Sequence, residues 1–188
     1  GAATFTHAQG MAEARGWRHI LAERPSPPLG ELFNLRRRAP ARAGLYALRR
    51  CVMRVSQRAF PLDVRGLENL PAKGPFLLCP THASLMDAVL VFVSLPDDHL
   101  ERTFFLGAEE FFRSALMRWV SRVGHVIPTA TTDTVLASLQ RAAEVLRAGC
   151  SICIFPEGMI TRDGNLQQPR PGAGILACEL GAPVVPLL

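Results

Sequence analysis

The sequence predicts an α/β domain: a mainly parallel sheet flanked by helices and preceded by a basic amphipathic helix. Three observations carry this. Short, continuous apolar runs ("PFLLC", "RTFFLG", "HVIP", "CSICIF", "PVVPLL") alternate with longer stretches of helical period, the pattern of strands covered by helices on both faces. The chain has 188 residues, 48% of them hydrophobic, enough for one substantial core. The charge is segregated: residues 1–60 carry eleven Arg against Glu13, Glu23 and Glu31, a net of +8. Residues 61–188 carry nine Arg and Lys73 against thirteen acids, a net of −3. A basic arm on a mildly acidic body points to an anionic partner, a membrane surface or a nucleic acid.

Residues 1–40 are weakly patterned, and "ERPSPPLG" has linker composition. Residues 41–60 are expected to form the basic helix. Leu45, Leu48, Val52, Val55 and Ala59 share one face, and Arg42, Arg49, Arg50, Arg54 and Arg58 lie on the others. Such a helix either lies on anionic lipid or packs on the domain with a solvated basic face, and the sequence leaves both open.

Residues 61–188 form the α/β body. "FPLDVRGLENLPAKG" reads as a short strand and a turn, and "PFLLC" as a buried strand before a helix from about Leu85 to Leu95. "RTFFLG" is a strand, "FFRSALMRWVSRVG" a helix and "HVIP" a short strand. "TTDTVLASLQRAAEVLRAG" is a helix capped by Thr131 or Thr132 and stopped by Gly149. "CSICIF" is a buried strand, "GAGILACELG" a short helix and "PVVPLL" the last strand. Leu85 to Leu95 is the longest apolar candidate for a membrane span, but spanning needs about 20 residues and this run contains an acid.

Five cysteines give no regular disulfide framework, and reduced thiols in a cytosolic setting are expected. "CSIC" resembles a redox or zinc motif. In a strand, however, Cys150 and Cys153 point to opposite faces, which makes them buried thiols instead.

The chemistry concentrates at strand ends. Ligands of open α/β sheets gather beyond the carboxyl ends of the strands. "PFLLC" is followed by Pro80, Thr81 and His82, and "CSICIF" by Pro156, Glu157 and Gly158. Parallel strands would bring these ends to one rim. A spacing of five would put His82 and Asp87 about 140° apart within one helix, so the pair works only with His82 before the helix and Asp87 in its first turn. "SLMD" supplies that arrangement as a capping box, with Ser84 as N-cap. The carboxylate can then orient the imidazole as a general base for a hydroxyl or an amine; the spacing equally suits an Asp87 that only caps the helix beside a surface His82. Arg170, ahead of the helix in "RPGAGILA", offers an anion site.

Together these segments resemble the glycerolipid acyltransferase family, which acylates glycerol phosphate and lysophospholipids from acyl-CoA or acyl-carrier protein. The motifs are His82, Ser84 and Asp87 in "THASLMD", Phe155 to Gly158 as Phe-Pro-Glu-Gly, and the proline strand "VVPLL". The resemblance runs from about Val64 to the end of the chain. It implies a glycerol-3-phosphate acyltransferase-like fold and a His82–Asp87 catalytic pair. It also implies acceptor binding by Glu157 and Gly158, with Arg162 in place of the motif arginine, and no metal or cofactor; with Ser84 of the first motif and the anion site at Arg170 these make up the expected substrate-binding set. The family's third motif usually continues Thr-Arg-Ser; here Met159, Ile160, Thr161 and Arg162 follow, which shifts the arginine. The family's second motif commonly ends in Asp-Arg, and "GHVIPTATTD" has no arginine. "FPEGMITRDG" is closer to the variant in domains fused to acyl-activating enzymes, including 2-acylglycerophosphoethanolamine acyltransferase.

The expected partners are therefore acyl-CoA or acyl-carrier protein, a lysophospholipid or lysophosphatidate acceptor, and the cytoplasmic face of an anionic membrane, held peripherally. No nucleic acid is expected. The chain is expected to be a piece of a longer protein, shortened at its carboxyl end. The competing expectations are a non-catalytic membrane- or nucleic-acid-binding module using the arginine arm, and a hydrolase.

Overall fold

The computed structural model describes residues 16–23, 25, 39–59, 62–108, 114–129, 135–161 and 163–188. Among the described residues five strands form one sheet: β1 (Leu77–Pro80), β2 (Thr103–Ala108), β3 (Val126–Thr129), β4 (Ser151–Cys153) and β5 (Val184–Leu187). They lie in the order β3-β2-β4-β1-β5. Every pairing is parallel. Leu77 sits opposite Ile152 and Val184, and Phe105 opposite Cys153 and Val126. The chain returns between strands through helices, as parallel pairing demands.

Two apolar layers follow from strand alternation. Leu77, Phe104, Ile127, Cys150 and Ile152 pack on one side beneath α1 (Trp17–Ala22), α6 (Val135–Arg147) and α7 (Gly172–Leu180). Phe76, Leu78, Phe105 and Cys153 pack on the other, with α2 (Ala39–Ala59), α3 (Asp87–Ser94) and α4 (Asp97–Leu100). Cys150 and Cys153 thus fall in opposite layers as buried free thiols. Burial pushes the Cys79 thiol up to about 11 and the Cys153 thiol higher still, so neither is poised for thiolate chemistry.

Helix α1 corrects the reading of residues 1–40 as weakly patterned linker. Its Ile20 and Leu21 are fully buried. Two side chains of α6 hold the last carbonyls of this short helix: Gln140 Nε2 donates to Ile20 O at 3.0 Å, beside the Glu23 N–H, and Arg147 Nη1 to Leu21 O at 2.6 Å. A six-residue segment has too few turns to show a period, which is why the pattern hid it.

For α2 the structure shows packing on the domain. Leu45 is fully buried, and Leu48 and Val52 are half-buried. Arg42 and Tyr46 both bond Glu101, and Arg49 bonds Asp97 and donates to Val93 O at 3.2 Å. The far end of the same stripe is open: Val55 is 64% exposed, and Arg50, Arg54 and Arg58 face solvent.

Three local readings are corrected. No strand forms over 62–75; Leu67–Asn69 is a 3-10 turn entered through Gly66 at φ +81°, and Val64 and Leu67 remain exposed. The helix expected from Leu85 begins at Asp87, because residues 85 and 86 form a turn. The four-residue helix α4 was not anticipated; its Leu100 fills the second layer. The expected caps Thr131 and Thr132 lie outside the described residues.

Candidate active site

Strand order brings the site together. Because β4 is hydrogen-bonded to β1, the segments leaving their carboxyl ends run side by side. His82 leaves β1 and donates its backbone N–H to Glu157 Oε1 at 2.8 Å. Thr161 N–H donates to His82 O at 2.9 Å. The imidazole stacks on Phe155, with ring centroids 4.0 Å apart and planes inclined by 25°. The two loops that the sequence placed on one rim are therefore in direct contact.

Asp87 opens α3 and reaches back. Its Oδ2 lies 3.2 Å from His82 Nδ1 and accepts Ser84 N–H at 2.7 Å. Ser84 Oγ accepts Met86 N–H at 3.1 Å. The Asp87–Ser84 bond is one half of the expected capping box; the other half is corrected, because Ser84 Oγ takes Met86 N–H while Asp87 N–H bonds Ser84 O, and the residue that precedes the helix is Met86, not Ser84. A carboxylate only accepts, so the contact requires the proton on Nδ1 and leaves the Nε2 lone pair unshared. Among the described residues nothing bonds Nε2.

His82 opens onto a cavity of about 710 Å³. Its walls are mostly apolar: Leu48 and Val52 from α2, Leu85 and Phe92 near α3, Met117 from α5 (Ala115–Gly124) and Leu139 from α6. Gly158 and Arg170 also line it, as do Gly172 and Ala173 at the start of α7. Gly158 adopts φ +69°, and a Cβ there would stand 2.9 Å from Arg170 Nε. Only glycine lets the guanidinium lie across this turn. Arg170 N–H donates to Pro156 O at 2.8 Å, which pins the loop back onto the rim. Among the described residues Arg170 forms no ion pair.

The expected set is thus divided. His82, Gly158 and Arg170 face one cavity, and Asp87 stands behind the base. Ser84 Oγ is bonded to Met86 N–H and Glu157 is 93% buried beneath the rim; neither is among the residues that line the cavity. Arg162 lies outside the described residues. Sequence reasoning passed over the Phe155 ring stack and the contributions of Leu48 and Val52. The aromatic at the strand end was visible but had no predicted partner.

Residues 61–188 match the acyltransferase family. The chain belongs to that family. The acyltransferase chain is 30% identical over 131 residues to a chloroplastic 1-acyl-sn-glycerol-3-phosphate acyltransferase of Brassica napus, covering 68% of this chain and 37% of the relative. It is 29% identical to a chloroplastic 1-acyl-sn-glycerol-3-phosphate acyltransferase of Arabidopsis thaliana, covering 68% of this chain and 35% of that protein. The chain therefore spans little more than a third of these relatives. Its fold is similar to the crystal structure of the 1-acyl-sn-glycerophosphate (LPA) acyltransferase PlsC from Thermotoga maritima. The TM-score is 0.63 and the identity 25%, with 84% of this acyltransferase chain and 62% of PlsC covered.

Proposed function

We propose that this chain transfers a fatty acyl group from a thioester, acyl-CoA or acyl-carrier protein, to the free hydroxyl of lysophosphatidate or a related lysophospholipid. The observation that carries the reading is a carboxylate-oriented imidazole opening onto an apolar cavity that also holds an arginine with no ion pair among the described residues. The names of the relatives favour lysophosphatidate over lysophosphatidylethanolamine.

The chemistry follows from the geometry. His82 Nε2 takes the proton of the acceptor hydroxyl as the oxygen attacks the thioester carbonyl carbon. Asp87 stabilises the imidazolium so formed and holds its tautomer. The tetrahedral intermediate collapses, the C–S bond breaks, and the thiolate leaves with the proton returned from Nε2. The apolar walls exclude water, which would otherwise compete for the thioester. Arg170 and the amino end of α7 offer a phosphate a charged fork and free N–H groups.

Thiol release measured with palmitoyl-CoA and a panel of acceptors tests this in the full-length protein. Turnover with lysophosphatidate is expected. Arg170→Ala should raise its KM about tenfold to 100-fold, the worth of a hydrogen bond to a charged group, and affect an uncharged monoacylglycerol far less. No turnover with any lysophospholipid and either thioester donor would refute the proposal.

The same reading includes peripheral attachment to the cytoplasmic face of an anionic membrane. No helix among the described residues is long and apolar enough to cross a bilayer. Leu85 and Met159, both more than half exposed, line the cavity. Leu116 and Trp119 of α5 are also more than half exposed, and Arg54 and Arg58 of α2 are open. An apolar rim flanked by arginines suits a lipid surface. Replacing Arg54 and Arg58 with Gln should weaken co-sedimentation with phosphatidylserine-containing vesicles about 10- to 30-fold, at roughly 1 kcal/mol per basic side chain. Unchanged sedimentation would exclude these arginines from the contact.

A further inference from the structure

We propose that Glu157 is a positioning residue: it locks the backbone of His82 to the loop that ends at Arg170. The proposal rests on the reading of His82 as the base.

Both oxygens of Glu157 are already engaged. Oε1 accepts His82 N–H at 2.8 Å, and Oε2 accepts Gln167 N–H at 2.9 Å. The residue is only 7% exposed. Its neighbours on either side, Phe155, Pro156, Gly158 and Met159, line the cavity and Glu157 does not. Its carboxylate therefore points beneath the rim while the backbone around it forms the surface.

Burying a carboxylate is costly unless its lone pairs are used. Two charge-assisted bonds to backbone N–H groups offset that cost, and they do so at places the chemistry needs held. His82 is fixed through every group it has. Its N–H is held by Glu157, its carbonyl by Thr161 N–H at 2.9 Å, and its ring by Asp87 and Phe155. The Gln167 end of the same carboxylate anchors the loop that returns to Arg170. One buried acid thus sets the distance between the base and the cation facing the cavity. A residue in contact with acceptor would change affinity when altered; a residue that aims the base changes the chemical step.

The test is Glu157→Gln in the full-length protein. The amide side chain is isosteric but retains one acceptor oxygen, so one of the two N–H groups loses its partner. Two readouts are taken: amide hydrogen exchange at His82 and Gln167, and steady-state kinetics with palmitoyl-CoA and lysophosphatidate. We expect exchange at one or both amides to accelerate about tenfold or more, as for loss of a charge-assisted bond. We expect kcat to fall about 100-fold, the scale of a misplaced catalytic group, with the acceptor KM changed less than about threefold. An acceptor KM raised about tenfold or more with kcat retained would overturn the proposal, as would unaltered exchange at both amides. Should the Gln variant fail to fold, Glu157→Asp takes its place with the same outcomes, since it keeps both oxygens one methylene short of their partners. His82→Ala is run in parallel: full turnover there would remove the base assignment, while the exchange arm still reports whether Glu157 holds the two loops.

Discussion

His82→Ala is expected to lower kcat by about 10²–10⁴-fold, the usual contribution of a positioned general base. The size follows from what remains when the ring is gone. The cavity, Arg170 and the amino end of α7 are untouched, so both substrates still bind and the acceptor KM should stay within about threefold. The acceptor hydroxyl, with no base beside it, must then lose its proton to water in a site lined mostly by apolar side chains. Asp87 cannot substitute, because it stands behind the ring and is held by Ser84 N–H at 2.7 Å. Removing the ring also opens the space against Phe155, so added imidazole should restore part of the rate. Single-turnover measurement of acyl transfer to lysophosphatidate checks this. A variant within about threefold of the parent rate would show that this imidazole plays no part in the reaction.

Much of that site was legible in the sequence because its parts obey local rules. Continuous apolar runs such as "FLLC" and "SICIF" announce strands buried on both faces, and the rim of a parallel sheet is where polar residues at strand ends converge. The capping pattern around Ser84 placed His82 ahead of the helix and Asp87 in its first turn, where the structure has them. What stayed hidden is non-local. That β1 and β4 are neighbours depends on the strand order, which no single segment encodes. Without that adjacency the Glu157 contact with His82 N–H cannot be foreseen. The same holds for α1, whose anchors Gln140 and Arg147 come from a helix far along the chain. For α2 the periodicity was right, but a face of the correct period does not say what covers it. The acids Asp97 and Glu101 near α4 decide that part of it packs on the domain.

Asp87→Asn should cost about as much activity as removing the histidine, about 10²–10⁴-fold in kcat, although the substitution is isosteric. In the parent protein one carboxylate oxygen, Oδ2, accepts from both His82 Nδ1–H and Ser84 N–H. An asparagine has one acceptor oxygen and one donating amide. With its oxygen in the place of Oδ2 it keeps both bonds and the ring tautomer, but the imidazolium formed during the reaction then faces a neutral amide where it had an anion. With the –NH₂ in that place, Ser84 N–H loses its partner and the ring proton is forced onto Nε2, so the hydrogen bonds favour the first arrangement. The base is weakened with the ring in place. The stability cost should be small by comparison, about 1 kcal/mol, the usual net value of a hydrogen bond. Ser84→Ala separates the two effects: it removes the bond to Met86 N–H, costs about 1 kcal/mol in thermal unfolding as for one hydrogen bond, and leaves the His82–Asp87 contact intact. The decisive measurement is kcat for the two variants together with the ¹⁵N shifts of the His82 ring. Asp87→Asn should show the rate collapsed with the ring proton still on Nδ1, whereas Ser84→Ala should show the parent rate and tautomer. If Asp87→Asn turned over at close to the parent rate, stabilisation of the imidazolium by this carboxylate would have to be abandoned.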